Sequence, residues 1–525
     1  MIPLTIARIA EIVGGKLDNV SDPQAVVSGP VEFDSRKIVA GGLFLALPGA
    51  KVDGHDFAEK AHEAGAMVTL AARPVGTPAI IVPSDAASVT ESDTASVTAS
   101  DAASATASAY VYAHDSDGSV RALLTALAKL ARAVITELIS TKALSVVGVT
   151  GSAGKTSTKD MLAALLSTAG PTIAPPGSFN NEIGHPYTAL RCGPDTEFLV
   201  AELSARGLGH IAQLAEIAPP RIGLVLNVGS AHLGEFGSKD TIAQAKGELI
   251  EAVPPAAAGG VAVLNADDPA VAAMATRTRG KVVTFSACGD TAADYFASDV
   301  VLDDLARARF QLHSRQAGPV EINLQVVGAH QVSNAVAAAA VAAEAGVAIE
   351  QIAVCLNDYL AVSAHRMDVR ERADNVTIIN DAYNANPESM RAGLAALSSA
   401  ALSSTALSSA ATQPAQAIAV LGEMSELGDD ASAVHRELGM QLAEFAVDTL
   451  VAVGKTNNIA ALVEGALEAG IDTRHVADVN GATRTVEEIL RSAQHRDVVL
   501  VKASNAWSLW RVAEQLASKE QEYKE

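Results

Sequence analysis

The stretch GVTGSAGKTST, residues 148–158, contains the glycines, the lysine and the hydroxyl residue of a phosphate-binding loop. It follows an apolar run, residues 143–149, that predicts a strand, and it precedes a helical pattern, which is the setting that such a loop requires. Glycines let backbone N–H groups close around phosphate oxygens, and the N-terminus of the helix adds its positive end. We expect Lys155 to bridge the outer phosphates of a nucleotide and the Thr156 hydroxyl to bind Mg²⁺. A glycine-rich turn that holds no ligand is the alternative.

Two further polar residues follow neighbouring predicted strands. Glu202 stands at the end of the apolar run FLVAEL, residues 198–203. The strand pattern of residues 221–228 leads into a loop that contains His232. Ligands bind at the carboxyl ends of parallel strands, so we expect Glu202, His232 and the glycine-rich loop to converge on one metal and nucleotide site. A histidine that only packs within its loop is the alternative for His232, and it is the commoner case for a single histidine.

Lys246 lies within the apolar stripe of a predicted helix, residues 239–253. Ile242 precedes it by four residues and Ile250 follows it by four, so the three side chains share one helix face. Such a lysine either extends its amine to solvent along the apolar surface or has a buried function. Carbamylation of the amine, giving a carboxylate-like metal ligand, is the functional alternative. Helix geometry alone favours the solvent-directed amine.

The elements that position these residues alternate between short β-branched runs and longer helical patterns, which is typical of α/β folds with parallel sheets. One group of candidate strands includes the strand before the glycine-rich loop and comprises residues 143–149, 197–203, 221–228 and 259–265. A second group predicts a separate nucleotide-binding-like domain and comprises residues 375–381, 417–423, 449–454 and 497–504. We therefore predict three domains, with boundaries near residues 144 and 363: 1–144, 145–362 and 363–525.

Two low-complexity segments interrupt these patterns. Residues 84–108 repeat Ser, Thr, Ala and Asp, and residues 398–416 repeat Ser, Ala and Leu. Neither has a recognisable apolar period, so both are predicted to be disordered surface loops inserted into folded domains.

Composition and charge narrow the class of protein. The 525 residues include three widely separated cysteines, which predict neither a disulfide framework nor a zinc ribbon, and a reduced, cytoplasmic compartment is the simple interpretation. The formal net charge of −22 argues against general binding to nucleic acid or anionic membranes. No uncharged apolar stretch is long enough to predict insertion into a membrane. The N-terminal sequence predicts an amphipathic helix, with Thr5 as N-cap and Gly14 at its end, and no signal peptide.

Several motifs occur together in the order found in the Mur ligases, the enzymes that build the peptidoglycan stem peptide, and the chain resembles that family over nearly its whole length. The motifs are GVTGSAGKTSTKDML, GSFNNEIGHP, AELSARGLGHI, NVGSAHLGEFGSKDTIAQAKGEL, GAHQVSNAVAA, HRMDV and DAYNANPESM. The resemblance implies a three-domain α/β fold: an N-terminal UDP-sugar-binding domain, a central P-loop ATPase domain with a mainly parallel sheet, and a C-terminal Rossmann-like ligase domain.

The resemblance also implies roles for individual residues of the central domain. Glu202 and His232, with Thr156, would position two magnesium ions, and Lys246 matches a lysine that is carbamylated in several family members, so here the buried function is favoured. Asn334 would contact the adenine side of ATP. The ATP phosphates would be bound by Thr150, Gly151, Ser152, Ala153, Gly154, Lys155 and Thr156.

The outer domains carry the remaining implied residues. Ser35 and Arg36 would lie near the uridine diphosphate, because arginine can pair with phosphate in a two-pronged geometry. In the FNNEIG motif, Asn180 and Asn181 would contribute to the muramoyl side. The third domain would bring Arg366 and Asp381 to the nucleotide and Asn384 to the substrate.

The DAYNANPESM motif, residues 381–390, is similar to that of the family members that join D-alanyl-D-alanine to a UDP-N-acetylmuramoyl tripeptide through an acyl phosphate. The DNPR-type motif of the members that add a free diamino acid is absent. One departure is Asn505, which stands where relatives commonly have arginine, so binding of the dipeptide carboxylate can differ in detail. We expect a monomer. The alternatives are another amide ligase of the superfamily, such as a folylpolyglutamate synthetase or the enzyme of a different Mur step, and a P-loop nucleotide switch.

Overall fold

The computed structural model describes residues 1–49, 52–84, 115, 117–142, 144–229, 236–303, 305–315, 317–407, 415–491 and 496–518. Within these residues the strands form three large sheets, one for each predicted domain, and a separate pair near the N-terminus. The α/β class and the three-domain architecture are confirmed. The predicted insert at residues 84–108 lies outside the described residues apart from Ser84.

The helices and strands have the following bounds, numbered here in chain order. The α-helices are α1 Ile6–Val13, α2 Ala58–Glu63, α3 Ser119–Lys142, α4 Lys155–Ser167, α5 Gly184–Ala189, α6 His210–Ile217, α7 Lys239–Glu251, α8 Pro269–Ala272, α9 His330–Glu344, α10 Ile349–Asp358, α11 Pro387–Leu407, α12 Ala431–Gln441, α13 Asn457–Glu468, α14 Val479–Arg491 and α15 Trp510–Ser518. The strands are β1 Leu4–Thr5, β2 Lys16–Asp18, β3 Val26–Val27, β4 Val31–Glu32, β5 Gly42–Leu45, β6 Ala66–Ala71, β7 Ala79–Ile81, β8 Ser145–Thr150, β9 Thr172–Ile173, β10 Phe198–Glu202, β11 Ile222–Val225, β12 Val261–Asn265, β13 Lys281–Ser286, β14 Tyr295–Leu302, β15 Arg307–Ser314, β16 Val320–Val327, β17 Asp368–Glu371, β18 Thr377–Asn380, β19 Ala417–Leu421, β20 Thr449–Val453, β21 Asp472–Val476 and β22 Val498–Lys502.

The central sheet has the order β16-β15-β14-β13-β12-β11-β8-β10-β9 and is parallel from β9 through β14. Successive residues of β8 face opposite sides: Val146 packs into one core with α3 and α7, while Val147 and Val149 pack into another with α4 and α9. Helices therefore cover both faces, as parallel sheets require. The carboxyl ends of β8, β10 and β11 lie side by side at the edge where the glycine-rich loop begins.

The third sheet has the order β17-β18-β22-β19-β20-β21, and only β17 runs antiparallel to its neighbour. The four strands predicted in this region are all present, and β22 lies at the centre, next to β18 and β19. The residues that follow β18 and β22 therefore meet at one edge of the sheet. That edge carries the DAYNANPESM motif and Lys502.

The N-terminal sheet has the order β2-β7-β6-β5-β4 and contributes to a core that continues into the central domain. Helix α1 begins at its predicted N-cap, where the Thr5 hydroxyl accepts from Arg8 N at 3.2 Å, and ends at Gly14 in the left-handed conformation. Helix α3 packs on α1 and also on α5 and α6. Helix α3 contributes to a core that contains residues of both the N-terminal and the central domain. The domain boundary near residue 144 therefore stays a prediction.

The prediction of a disordered loop at residues 398–416 is wrong for its first part, since α11 continues to Leu407. The apolar residues Leu394, Leu397, Ala400 and Ala401 follow a helical spacing and are all buried in the third-domain core. The Ser-rich composition concealed this stripe, in which small alanines fill the positions that face the sheet. Residues 408–414 lie outside the described part of the chain.

In the part of the chain that the structure describes, every helix is too short or too polar to cross a lipid bilayer.

Candidate active site

The glycine-rich loop joins β8 to α4 and is held by the neighbouring strand end. Thr150 is fully buried, and its hydroxyl donates to the carbonyl of Leu203 at 2.8 Å. The side-chain oxygen of Asn227, which follows β11, accepts from the N–H groups of Ser152 and Ala153 at 2.9 and 2.8 Å. Asn227 thus fixes the backbone at the start of the glycine-rich loop, which leads into the N-terminus of α4.

Thr156 and Glu202 meet at the first turn of α4. The Thr156 hydroxyl donates to Glu202 Oε2 at 3.0 Å, and Asn180 Nδ2 donates to Glu202 Oε1 at 2.7 Å. Only 1% of the Glu202 surface is exposed, so its negative charge is held inside the site by these partners. The hydroxyl and carboxylate oxygens are the ligand types that Mg²⁺ takes alongside substrate phosphates. The predicted convergence of Thr156 and Glu202 is present, whereas His232 lies outside the described residues.

Asn334 lies directly beneath the loop, at the start of α9. Its side chain accepts from the Thr158 hydroxyl at 3.3 Å and donates to Gln331 at 2.8 Å. Gly154 adopts a φ of 82°, and a Cβ at this position would come within 2.5 Å of Asn334 Oδ1. Both the backbone conformation and the space therefore require glycine here.

Replacing Gly154 by alanine is expected to weaken nucleotide binding about five- to thirtyfold. The left-handed conformation costs an L-residue roughly 1–2 kcal/mol, and the added methyl group would displace Asn334 from beneath the loop. Calorimetric titration with ADP would measure the change. Gly318→Ala is the matched control, because a Cβ at Gly318 meets no atom within 4 Å. Equal affinity in the Gly154 variant and in the control would contradict the strain argument.

Two lysines of the site, Lys155 and Lys246, have lowered pKa values. Lys155 Nζ donates to the carbonyl of Gly151 at 2.6 Å, and burial, together with the charge of Arg366, lowers the pKa of Lys155. Lys246 is only 3% exposed, and burial first and Lys155 second hold its pKa well below the usual range of lysine. The solvent-directed amine, favoured by helix geometry alone, is therefore wrong. Helix α7, which carries Lys246, packs on β8 and β11 and covers this face of the central sheet.

The third domain reaches the site through Arg366. Its guanidinium donates to the Ser178 hydroxyl at 2.9 Å and lies over the Tyr383 ring, 4.2 Å from the centroid. Ser178 in turn lies 3.0 Å from the Thr156 hydroxyl. The structure thus brings Arg366 close to the first turn of α4.

Asp381 and Asn384 are fixed by a lysine from the neighbouring strand. Lys502, of which 1% is exposed, forms an ion pair with the Asp381 carboxylate and donates to the carbonyl of Asn384 at 3.0 Å. The other Asp381 oxygen accepts from Met367 N at 3.2 Å. Asn384 itself is exposed beside this cluster.

The predicted sugar-nucleotide residues lie where the N-terminal domain faces the central one. Ser35 is buried, and the Arg36 guanidinium binds Asp34 in a two-pronged pair that lowers the pKa of Asp34 to about 2. The adjoining Phe33 ring lies 5.2 Å from the Tyr187 ring of α5. The Tyr187 ring also lies 5.6 Å from the Phe179 ring, so Phe33, two residues before Ser35, is near the loop that carries Asn180.

Asn181 stabilises this loop, since its side-chain oxygen accepts from Ile183 N at 3.2 Å and from Gly184 N at 2.9 Å at the start of α5.

Three residues of the site were not predicted from the sequence: Ser178, Lys502 and Asn227. Lys502 gave a usable signal, because a lysine ends the otherwise apolar strand DVVLVK just as Lys246 interrupts an apolar stripe. Asn227 gave a similar signal at the end of the strand pattern of residues 221–228, whereas Ser178 was marked only by its place in the GSFNNEIGHP motif.

The comparisons with known proteins agree with this arrangement. Family models match residues 30–134 (Mur ligase family, catalytic domain), 149–342 (Mur ligase middle domain) and 365–505 (Mur ligase, glutamate ligase domain). A UDP-N-acetylmuramoyl-tripeptide–D-alanyl-D-alanine ligase of Mycobacterium tuberculosis is 51% identical over 532 aligned residues, which cover 99% of this chain and 98% of the relative.

Two solved structures are similar over almost the whole chain. A MurF structure from Acinetobacter baumannii has a TM-score of 0.78 at 28% identity and covers 98% of this chain and 99% of its own. The MurF ligase of Thermotoga maritima in complex with ADP has a TM-score of 0.70 at 26% identity and covers 95% and 99%. The motif order, the three sheets, the converging residues and these full-length similarities lead to one conclusion: the chain belongs to the Mur ligase family.

Proposed function

We propose that this chain joins D-alanyl-D-alanine to a UDP-N-acetylmuramoyl tripeptide and converts ATP to ADP and phosphate. The observation that carries the proposal is the 51% identity, over 99% of this chain, to a relative whose name states this activity. The Thermotoga maritima MurF structure, which contains ADP, supports ATP as the nucleotide. Because ATP and nucleotide-linked precursors are used inside the cell, we expect the reaction in the cytoplasm.

The first chemical step requires two anions to approach each other. The terminal carboxylate of the tripeptide attacks the γ-phosphate of ATP, which gives an acyl phosphate and ADP. We propose that the backbone donors of residues 150–156 and the amine of Lys155 offset the repulsion, because preorganised donors stabilise charge that develops in the transition state. In the second step the amine of D-alanyl-D-alanine attacks the acyl phosphate, and inorganic phosphate leaves.

Magnesium fits the oxygen ligands that the site presents. We propose that Thr156, Glu202 and His232 position two ions, with Thr156 and Glu202 already joined by a 3.0 Å hydrogen bond. Bound Mg²⁺ would neutralise phosphate charge and polarise the transferred phosphoryl group. Asn180 holds the second oxygen of Glu202, so it orients this carboxylate.

Lys246 is proposed to be carbamylated. Lys246 is buried, and burial together with the charge of Lys155 holds its pKa well below the usual range of lysine. Two amines in one buried region repel each other when both are charged. Reaction of the neutral amine with CO₂ gives a carbamate and releases a proton, which replaces this repulsion by attraction between the carbamate and Lys155 and adds a metal ligand.

The remaining residues are proposed to bind the organic parts of the substrates. Ser35 and Arg36 would contact the uridine diphosphate, and Asn180 and Asn181 the muramoyl side. From the third domain, Asn384 would contact the substrate. We assign the nucleotide contacts outside the phosphate-binding loop to Asn334, Arg366 and Asp381, of which Arg366 already lies 2.9 Å from Ser178 in the central domain.

Phosphate release from ATP tests this function directly. The assay contains UDP-muramoyl tripeptide with and without D-alanyl-D-alanine, with either lysine or diaminopimelate as the third peptide residue. Strong release only with both peptide partners is the expected result, and the preferred tripeptide identifies the third residue. Release that ignores D-alanyl-D-alanine would indicate another amide ligase of the superfamily. Slow release that ignores both partners would indicate a nucleotide switch.

A further inference from the structure

A loop between β9 and α5, residues 174–183, contacts both proposed metal ligands of the described chain. Its Ser178 hydroxyl lies 3.0 Å from the Thr156 hydroxyl. Its Asn180 side chain donates to Glu202 at 2.7 Å. Because the Thr156 hydroxyl donates its own hydrogen to Glu202 at 3.0 Å, the hydrogen of the Ser178–Thr156 bond comes from Ser178. The loop therefore helps to set the direction in which the Thr156 and Glu202 oxygens point.

The start of this loop has few hydrogen-bond donors of its own. Pro175 and Pro176 carry no backbone N–H. Gly177 follows them in the left-handed conformation, with a φ of 59°. A segment with so few donors cannot fix its position through its own backbone hydrogen bonds. Its position depends on groups elsewhere that bind its carbonyl oxygens or pack against its rings.

Lys159 supplies such a group from inside α4. Its amine donates to the carbonyl of Pro175 at 3.0 Å and forms an ion pair with Asp160. Only 2% of Lys159 and 8% of Asp160 is exposed. Lys159 follows Thr156 by three residues, so the two lie about one turn apart on the same helix. The helix that carries Thr156 thus also holds the base of the loop that contacts Thr156.

A buried ion pair that only stabilises α4 is the ordinary explanation of this arrangement. Adjacent positions of a helix do not face each other, so helix geometry alone does not bring Lys159 to Asp160. The cost of burying two charges can exceed their attraction, and such a pair is weak evidence for stability. Two apolar residues would serve packing alone, but they would leave the Pro175 carbonyl without its donor.

We propose that Lys159 is a positioning residue for the metal site. By holding the Pro175 carbonyl, its amine fixes the loop so that the Ser178 and Asn180 side chains stay on the two proposed metal ligands. Lys159 itself contacts neither the metal nor the phosphates and acts only through the loop. This inference rests on the proposed function, in which the residues that the loop contacts bind Mg²⁺ beside the nucleotide.

Mn²⁺ and ADP probe this site without either peptide substrate, and electron paramagnetic resonance of free Mn²⁺ measures the binding. For Lys159→Met, we expect the ADP-bound protein to bind Mn²⁺ about tenfold more weakly, at the lower end of the roughly 10–100-fold loss that follows removal of a group that orients a metal ligand. Lys281→Met, which breaks the ion pair with Glu344 at the start of β13, is the matched control and should bind Mn²⁺ like the wild type.

A double variant separates positioning from stability. Lys159→Met alone leaves Asp160 buried without its cation and is expected to destabilise the protein. Lys159→Met, Asp160→Leu should regain most of the stability in urea unfolding followed by circular dichroism, because apolar replacement of a whole buried pair is often neutral. It should still bind Mn²⁺ as weakly as the single variant. Wild-type Mn²⁺ affinity in the double variant would overturn the inference, since the pair would then be purely structural.

A double-mutant cycle tests whether the effect passes through the loop. In a Ser178→Ala, Asn180→Ala background the loop no longer bonds to the proposed ligands, so Lys159→Met should cause little further loss of Mn²⁺ affinity. Equal losses of Mn²⁺ affinity in this background and in the wild type would overturn the inference, because Lys159 would then act by another route.

The outcomes also distinguish this inference from the proposed function. Mn²⁺ binding needs no peptide substrate, so phosphate release that ignores D-alanyl-D-alanine would overturn the proposed ligase activity while the Mn²⁺ titrations still decided the role of Lys159. If the wild-type protein bound no Mn²⁺ in the presence of ADP, the proposed metal ligands and this inference would fail together.

Discussion

Replacing Lys246 by alanine is expected to lower ligation about 10²–10³-fold, the loss that follows removal of one preorganised charge-stabilising group. The amine is buried beside Lys155, so the alanine variant loses the proposed carbamate and its charge. A short carboxylic acid such as acetate or propionate would supply a carboxylate in place of the proposed carbamate. Partial recovery of activity with rising acid concentration is therefore expected.

Rates of phosphate release with both peptide partners would measure this effect. Lys239→Ala is the control, because Lys239 is exposed at the start of the same helix and its loss should change neither the rate nor the response to acid. Full activity in Lys246→Ala would rule out an essential role for the lysine. An inactive variant that no carboxylic acid rescues would argue against the carbamate and for a purely structural lysine.

Replacing Lys502 by methionine is expected to destabilise the third domain by about 3–5 kcal/mol, because the substitution leaves Asp381 without its cation in a largely buried place. The Asp381 side chain is 16% exposed, and Lys502 also holds the carbonyl of Asn384. Ligation should fall as well, since the segment that follows β18 loses its anchor.

Urea unfolding followed by tryptophan fluorescence would measure the stability of this domain alone, because the two tryptophans of the chain, Trp507 and Trp510, both lie there. The double variant Lys502→Met, Asp381→Leu should regain most of the stability, since apolar replacement of a whole buried pair is often neutral. It should not regain activity if Asp381 contacts the nucleotide. Lys455→Met, at an exposed lysine, is the control. A midpoint unchanged in Lys502→Met would show that the pair contributes no stability.

Local patterns of the sequence predicted much of the fold and part of the site. Helix and strand periods fix which side chains share a face. Spacing alone therefore predicts a glycine-rich loop between a strand and a helix, an acidic residue at a strand end and a lysine within an apolar stripe. The eight candidate strands of the second and third domains, the helix after the glycine-rich loop and the position of Glu202 at the end of β10 are present in the structure. The stripe in α11 was missed because alanine and serine give a weak apolar signal.

The sequence by itself determined which residues could bind phosphate and metal, and the tertiary structure decided what surrounds them. The spacing of Lys246 was compatible with a solvent-directed amine and with a buried one. The packing of α7 on β8 and β11 decides between them, because it buries the residue. Arg366 bonds to Ser178 from another domain, across 188 positions of the chain. Periodicity reports which face of an element is apolar, but it carries no information about which distant segment covers that face, and contacts between domains depend on how those faces meet.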